Sequence, residues 1–252
     1  MKTRRQFLQS TALMLGGMVL PASAAAPTSK KKGWAGSSVE MHQKFGVSWF
    51  YGWVGNGRGT PGVEFVPMIN NGKAIQWKPL VSTPDPITAL LGYNEPERAS
   101  QGNLSVDEAI AQWPQLVALA ATRNLRLGSP APSSDKGGME WLSAFMEKAE
   151  KARLKIDFVA LHWYRGRDAA AFATWIDEMS RKYRKPLWIT EFNGWSGTPQ
   201  ENEAFLRSAL RTLERESSVE RYAYFNTKPG HPCALLKPDG TLSRLGQLYL
   251  AA

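Results

Sequence analysis

Short apolar runs recur along the chain, and each of them ends in polar or aromatic residues. Most of these runs lack strict polar alternation, which is typical of strands that are buried on both faces of a parallel sheet. The pattern therefore predicts a sheet of parallel strands. The eight predicted strands lie at residues 33–36, 47–53, 64–69, 89–93, 126–130, 158–164, 187–192 and 221–225.

Helical periodicity fills the gaps between the later runs. Ser105 and Glu108 have the spacing of a capping box, and Thr198 and Glu201 repeat that spacing around a proline in the first turn. Pro114 lies inside one segment, so we expect this helix to end or kink there. The four predicted helices span residues 105–124, 139–154, 169–183 and 198–216.

Strands that alternate with helices predict an α/β fold, and eight strands indicate a closed (β/α)8 barrel of the TIM type. The early connections are short, however. Residues 54–63, between the second and third runs, are too few for a crossover helix, and the next connection contains Pro79, Pro84 and Pro86. We therefore expect a barrel whose helices are short or missing in its first half.

The first 24 residues predict an export signal, because a basic start precedes a modest apolar stretch and small residues that suit cleavage. The segment TRRQFLQ, with Arg4 and Arg5, resembles a twin-arginine signal. The apolar stretch is too short and too interrupted for stable membrane anchoring. We expect a bacterial protein that is exported by the twin-arginine pathway to the periplasm or the medium. The predicted division is a signal peptide at 1–24, a basic linker at 25–31 and one domain at 32–252.

The net charge of +9 includes three positive charges in the first 24 residues. Lys30, Lys31 and Lys32 form a further basic cluster, which we interpret as a solvated tail. The remaining charge is scattered, so we expect no nucleic-acid partner. The single Cys233 cannot form an internal disulfide and is interpreted as a buried or inert thiol.

No motif for a metal or a cofactor stands out. The three histidines are isolated from one another and are not accompanied by thiols. The glycine-rich stretch at residues 55–60 runs into Pro61 instead of a helix, so it does not match a dinucleotide-binding loop. We therefore expect no cofactor, no metal and a monomeric protein. The ten tryptophans are numerous enough to supply both a core and a surface that stacks on sugars.

Two glutamates end predicted strands of the barrel. Glu95 follows the fourth run in LLGYNEPERAS, and Glu191 ends the seventh in PLWITEFNGW. Active sites of such barrels lie at the C-terminal ends of the strands, where two carboxyl groups about 5–5.5 Å apart could act as the acid/base and the nucleophile of a retaining glycosidase. Glu97 competes with Glu95, and we interpret it as a structural residue or a salt-bridge partner.

The Asn-Glu-Pro and Thr-Glu-Phe stretches resemble the clan A glycoside hydrolases. Within that clan, KKGWAG, YGW, FVPMI, LLGYNEPE, LGSPA, DFVALHWY, LWITEF, RYAYF and LLKPDGTLSRLG are similar, in this order, to glycoside hydrolase family 128, the β-1,3-glucanases. The resemblance covers about residues 31–249. It implies Glu95 as the acid/base, Glu191 as the nucleophile, reduced helices, and a catalytic barrel over residues 32–252.

From these features we expect a retaining endo-β-1,3-glucanase that hydrolyses laminarin- or curdlan-type polysaccharide or oligosaccharides. The chain departs from the family pattern at Gly52, where Asn is common, and at Asn70 and Asn71, where Trp-Gly is common. Glu97 replaces an aspartate. These changes alter the sugar-contacting surface. They leave open an exo-acting or oligosaccharide-preferring enzyme, or a glucan-binding protein with little turnover.

Further candidates surround the two glutamates. Asn94 could donate to the sugar 2-hydroxyl or cap a turn, and His162 and Tyr164 could orient or tune Glu191. Glu95 needs a raised pKa to hold its proton, whereas Glu191 must stay ionised. Aromatic residues near strand ends could stack on a pyranose ring or belong to the core. The stronger of these aromatic candidates are Trp53, Trp163 and Trp195, and the weaker ones are Tyr51, Tyr93 and Phe225.

Overall fold

The structure is a computed structural model that describes residues 29–57, 59–72 and 86–252. The predicted signal peptide, residues 25–28 of the linker, and Pro79 and Pro84 lie outside the described residues. Within them, eight short strands form the centre of the fold. The strands are β1 Lys32–Ala35, β2 Trp49–Tyr51, β3 Glu64–Phe65, β4 Ala89–Leu90, β5 Arg126–Leu127, β6 Val159–Trp163, β7 Leu187–Phe192 and β8 Val219–Tyr224.

The strands pair in parallel and follow the chain order around a ring. Six of them form one sheet in the order β3-β2-β1-β8-β7-β6, and β4 pairs with β5. Single parallel bridges, Met68 to Leu91 and Gly128 to Phe158, join the two sheets at both seams. The predicted α/β barrel is therefore confirmed. The pairing of β3 is shorter than predicted, because Pro67 has no N–H to contribute to a ladder.

Six helices surround the described strands, and the four that the sequence predicts are among them. The first and last helices were not predicted, because a helix of seven or eight residues shows too little hydrophobic periodicity. Each of them begins after a serine N-cap, Ser38 or Ser243. The connection from β2 to β3 has no helix in its described residues. The helices are α1 Val39–Phe45, α2 Val106–Thr122, α3 Lys136–Lys151, α4 Ala169–Tyr183, α5 Pro199–Arg215 and α6 Arg244–Ala251.

Helix α2 continues through Pro114, so of the two expected outcomes, an end or a kink, the end does not occur. Pro114 lies on the exposed face, where water can satisfy the carbonyl that the missing N–H leaves free. Trp113 and Leu116 are fully buried and hold the helix against the barrel. Packing thus outweighs the local preference of proline.

Two groups of buried side chains reflect the alternation of side chains along the strands. One group, which includes Trp49, Phe158 and Trp188, comes from the strands and the chain just beyond them and fills the barrel interior. The other group, which includes Phe50 and Leu161, packs the outer faces of the strands against the helices. Burial on both faces explains the apolar runs in the sequence.

The interpretation of Lys31 and Lys32 as a solvated tail is wrong. Lys32 is fully buried in β1, and burial lowers its pKa to about 8, so the amine is still mainly a cation at neutral pH. Helix C-termini present carbonyls without intrahelical partners, and the two amines donate to such groups. The acceptors of Lys32 are the carbonyls of Tyr249, Leu250 and Ala252, and those of Lys31 are the carbonyls of Leu213, Glu214 and Glu216.

Candidate active site

Glu95 lies on a tight turn that follows β4. Its N–H donates to the Ala131 carbonyl at 2.7 Å, and its own carbonyl accepts the N–H of Arg98 at 3.0 Å. The backbone of Glu95 is left-handed, with φ 37°, which is uncommon for a residue with a side chain. Gly92 lets the chain that leads into this turn pass close to the backbone of Ser129, because a Cβ at position 92 would lie 2.9 Å from the Ser129 carbonyl oxygen.

Glu191 lies within β7, at an irregularity of the pairing with β8. Three donors fix its carboxylate. The hydroxyl of Tyr51 and the indole N–H of Trp53 donate to Oε1 at 2.9 and 3.0 Å, and the hydroxyl of Tyr164 donates to Oε2 at 2.5 Å. Burial and the charge of Glu191 raise the pKa of both tyrosines well above the ordinary value, so these hydroxyls keep their protons.

His162 lies between the two glutamates and is 1% exposed. Its Nδ1 is 3.5 Å from Glu95 Oε1, and its Nε2 is 3.5 Å from Glu191 Oε1. Both distances are too long for a good hydrogen bond, so His162 interacts with the two carboxylates mainly by attraction between charges. Burial works against the imidazolium, but the charges of Glu191 and Glu95 raise the pKa of His162 above its ordinary value.

The same contact acts on Glu95. Burial disfavours its carboxylate, yet His162, together with the charge of Arg98, holds the pKa of Glu95 below its ordinary value. This direction is opposite to the raised pKa that a general acid needs. The protonation that the sequence led us to expect for Glu95 is therefore not that of the free protein.

A cleft of about 850 Å³ opens above the two glutamates, within the size range of small-molecule sites. Aromatic rings form part of its lining, and the remainder is polar. Trp195 is the most exposed of the rings, with 52% of its surface accessible. The aromatic side consists of Trp53, Tyr164, Trp195 and Phe225, and the polar side consists of Asn94, Arg98, Ser100, Gln101, Ser133, Ser134, Asp135 and Arg165.

Seven of the eleven predicted site residues line this cleft, and four do not; two of these four belong to the core outside the site. Trp163 is buried against Phe172 and Trp175 of α4, and Tyr93 is buried against Trp113 of α2. Neither ring is available to stack on a sugar. Successive side chains of a strand point to opposite faces, so inward-facing neighbours at positions 162 and 164 direct residue 163 outward.

Tyr51 and His162 lie beneath the cleft and not on its surface, since both are almost fully buried. They contact Glu191 from below and so can act on the carboxylate without touching a ligand.

The sequence analysis missed the charged part of the polar side. Arg98 forms an ion pair with Asp135. The Oε1 atom of Glu97 accepts the N–H of Ser133 at 3.0 Å and lies 3.6 Å from Nε of Arg98. Glu97 is therefore a structural partner of the β4 and β5 loops. Asp135 caps α3 by accepting the N–H of Gly138. An aspartate three residues before a glycine at a helix start is a local signal, and it could have identified the loop after β5 as part of the site.

No group of three or more histidine, cysteine, aspartate or glutamate residues that could hold a metal ion occurs in the part of the chain that the structure describes. Across residues 29–57, 59–72 and 86–252, none of the helices has the length and apolar character needed to cross a membrane. Cys233 is buried, and its thiol lies 3.1 Å from Asn202 Oδ1.

Known proteins share this architecture. A structure of a subgroup II endo-β-1,3-glucanase of glycoside hydrolase family 128 from Sorangium cellulosum is 30% identical, with a TM-score of 0.78 over 88% of this chain and 98% of that chain. A subgroup I endo-β-1,3-glucanase from Amycolatopsis mediterranei, in complex with laminaritriose, is 31% identical, with a TM-score of 0.76 over 88% and 99%.

A subgroup III curdlan-specific exo-β-1,3-glucanase from Blastomyces gilchristii, in complex with glucose, is 30% identical, with a TM-score of 0.74 over 88% and 98%. The Alkali-sensitive linkage protein 1 of Schizosaccharomyces pombe is 32% identical over 223 residues, which are 82% of this chain but 40% of that protein. The chain thus spans about two fifths of this relative's length.

A family model described as a glycosyl hydrolase catalytic core matches residues 27–249. The matched range contains both glutamates and every strand and cleft residue described above. The chain belongs to glycoside hydrolase family 128, the family of β-1,3-glucanases.

Proposed function

We propose that the protein is a retaining endo-β-1,3-glucanase with Glu191 as the nucleophile and Glu95 as the acid/base. The observation that carries this proposal is the pair of glutamates on either side of one buried imidazole, at the base of a cleft with aromatic rings. Glu191, oriented by its three donors, attacks the anomeric carbon and forms a glycosyl-enzyme, while Glu95 protonates the leaving oxygen. Water then releases the sugar as Glu95 acts as the base.

The cleft supplies the remaining contacts. Asn94 is buried beside Glu95 and lines the cleft, where its amide can donate to the 2-hydroxyl of the sugar, an interaction that strengthens in the transition state. Trp53, Trp195 and Phe225 offer apolar faces to the pyranose rings.

Substitution of each glutamate tests the assignment. We expect Glu95→Gln to lower hydrolysis of laminarin by about 10²–10⁴-fold, the range of general acid–base catalysis, and Glu191→Gln to abolish it because an amide cannot form the ester intermediate. Glu150→Gln, on the exposed face of α3, is the control and should retain full activity. Substantial hydrolysis by either active-site variant would defeat the assignment.

Retention is tested separately by NMR of the first product released from a laminari-oligosaccharide. We expect the β-anomer to appear first and to mutarotate later, because two displacements restore the configuration. Initial release of the α-anomer would establish inversion and exclude Glu191 as a nucleophile.

Endo action is supported by the shape of the cleft. Past Ser134, Asp135 and Arg165 it continues into a groove of about 610 Å³ between α3 and α4, so a glucan chain can extend beyond the catalytic centre at this end. Identity alone does not choose the mode, because endo and exo relatives match equally well. We expect a ladder of intermediate lengths from linear β-1,3-glucan. One short product would establish exo action, and binding without any product would favour a glucan-binding protein.

We also propose that the protein is exported through its N-terminal segment, on the basis of the sequence alone. Replacement of Arg4 and Arg5 by lysines should retain the protein in the cytoplasm of the producing cell. Unchanged export, measured by cell fractionation, would contradict a twin-arginine route.

A further inference from the structure

The imidazole of His162 faces carboxylate oxygens on both sides. Its ring is buried, and within the described residues neither nitrogen has a hydrogen-bond partner, so the carboxylate oxygens at 3.5 Å are ion-pair neighbours of the ring. A neutral imidazole has one donor and one acceptor, and its acceptor nitrogen would point a lone pair at a carboxylate. Only the protonated ring presents an N–H to each neighbour. The position of the ring between two carboxylates therefore favours the imidazolium in the free protein.

The charged groups around this ring agree with that assignment. Glu95 contacts it from the loop after β4 and Glu191 contacts it from β7, and the charge of Glu97 in the same loop as Glu95 also favours the protonated ring. Tyr164, whose ring centroid lies 6.1 Å from that of His162, remains neutral. Arg98 is the nearby cation, and it acts on Glu95 from the cleft side. The charges around the ring thus favour an imidazolium between the two glutamates.

This arrangement creates a difficulty for the proposed reaction. The leaving oxygen must receive a proton when the glycosidic bond breaks, yet the group that faces it is a carboxylate that favours its ionised form. The nearest stored proton lies on His162 Nδ1, 3.5 Å from Glu95 Oε1.

We propose that His162 stores the proton that Glu95 delivers to the leaving group. The inference rests on the proposed function and adds a residue that acts through Glu95. In the first step Glu191 forms an ester with the anomeric carbon, the glycosidic C–O bond breaks, and its oxygen receives a proton through Glu95 as His162 Nδ1 loses one. The site begins with one cation and two anions and ends with a neutral imidazole, a neutral ester and the Glu95 carboxylate, so charge is conserved.

The chemistry itself explains when the proton is released. Ester formation neutralises Glu191, the largest of the charges that favour protonated His162. The imidazolium therefore loses its strongest support at the moment when the leaving oxygen needs a proton. In the second step Glu95 takes a proton from the attacking water and passes it to Nδ1, while cleavage of the ester restores the Glu191 carboxylate. The cycle thus returns to its starting state.

Kinetics with two leaving groups tests this role. His162→Gln keeps a polar side chain but cannot transfer a proton. We expect its kcat/KM to fall by about 100-fold on a laminari-oligosaccharide but by less than about 5-fold on a dinitrophenyl β-laminaribioside, whose leaving group needs no acid assistance. The alkaline limb of kcat/KM should move to lower pH, because the proton would then reside on a carboxyl group. If kcat/KM falls equally on both substrates and its alkaline limb stays at the same pH, His162 has only a structural role.

A direct measurement uses protein labelled with ¹⁵N in histidine. The His162 signal, assigned by its loss in His162→Gln, should be that of an imidazolium in the free enzyme and of a neutral ring after trapping with a 2-deoxy-2-fluoro glycosyl fluoride. If the ring stays protonated in the trapped enzyme, the storage role is wrong while the nucleophile stands. If no adduct forms on Glu191, the proposed function fails, and the two substrates still decide whether His162 supplies the proton.

Discussion

Three residues of the site have left-handed backbones. The φ angles are 55° at Trp53, 37° at Glu95 and 60° at Trp195. For an L-residue this conformation costs about 1–2 kcal/mol, and such strain persists where the surroundings determine it. At Trp195 the N–H donates to Asn193 Oδ1 at 2.8 Å and the ring packs against Tyr164. Each of the three side chains lines the cleft.

Replacement of Trp195 by alanine tests whether this ring contacts the sugar or belongs to the core. The exposed indole lines the cleft and packs against Tyr164, so we expect KM for long glucan to rise by about 3–10-fold, the equivalent of about 0.5–1.5 kcal/mol of aromatic contact. The value of kcat should change little, because a contact made equally in both states does not affect the chemical step.

The matched control is Trp163→Ala. Because Trp163 is buried against α4, we expect it to lower the free energy of unfolding by about 3–5 kcal/mol without a selective effect on KM. Steady-state kinetics and urea denaturation of both variants check this contrast. A loss of stability in Trp195→Ala as large as that in Trp163→Ala would contradict it.

At the scale of elements, local signals located the longer helices correctly. The capping boxes at Ser105 and Thr198 are both present, because a cap involves groups only three residues apart. The basic cluster was misinterpreted, since the carbonyls that accept from Lys32 lie more than 200 positions further along the chain. No local sequence pattern predicts a hydrogen-bond partner so far along the chain.

The role of Lys32 is therefore open to a direct test. Lys32→Met keeps a long apolar stem but removes the amine that donates to the carbonyls at the end of α6. Unsatisfied buried groups cost about 1–3 kcal/mol each, so we expect the free energy of unfolding to fall by about 2–4 kcal/mol. Lys30→Met, at an exposed position, should leave stability unchanged. Equal urea midpoints for the two variants would show that the buried amine does not stabilise the fold.

At the scale of the molecule, ion pairs cross the end of the barrel opposite the cleft. Arg221 of β8 donates to Glu64 of β3 at 2.6 Å, and its guanidinium lies 4.3 Å from the ring centroid of Trp188. Arg126 of β5 pairs with Glu220 of β8. These contacts link strands that are not neighbours. They complement the pairing at the seams, where β3 to β5 are only two residues long.

The buried unit of Glu95, His162 and Glu191 should make stability depend on pH. A raised pKa of His162 stabilises the fold fully below the ordinary value of 6.5, and this contribution is lost as the pH rises through the folded-state value. A lowered pKa of Glu95 stabilises it fully above the ordinary value of 4.5, and that contribution is lost as the pH falls through the folded-state value. The combined contribution is therefore largest between pH 4.5 and 6.5.

Urea denaturation across this pH range checks the expectation. The difference in unfolding free energy between the native protein and His162→Gln should be greatest in that window and should shrink on either side. A difference that is independent of pH would mean that the pKa of His162 is the same in the folded and the unfolded protein.

The sequence by itself determined the alternation of strands and helices, the barrel class and the two glutamates at strand ends. These follow from periodicity, caps and position along a strand, which depend on residues close in the chain. Only the tertiary structure decided that His162 lies between the carboxylates, that Trp163 and Tyr93 belong to the core, and that Glu95 favours ionisation. Those properties depend on which distant side chains meet and on how much water they exclude, and both arise only when the ring of strands closes.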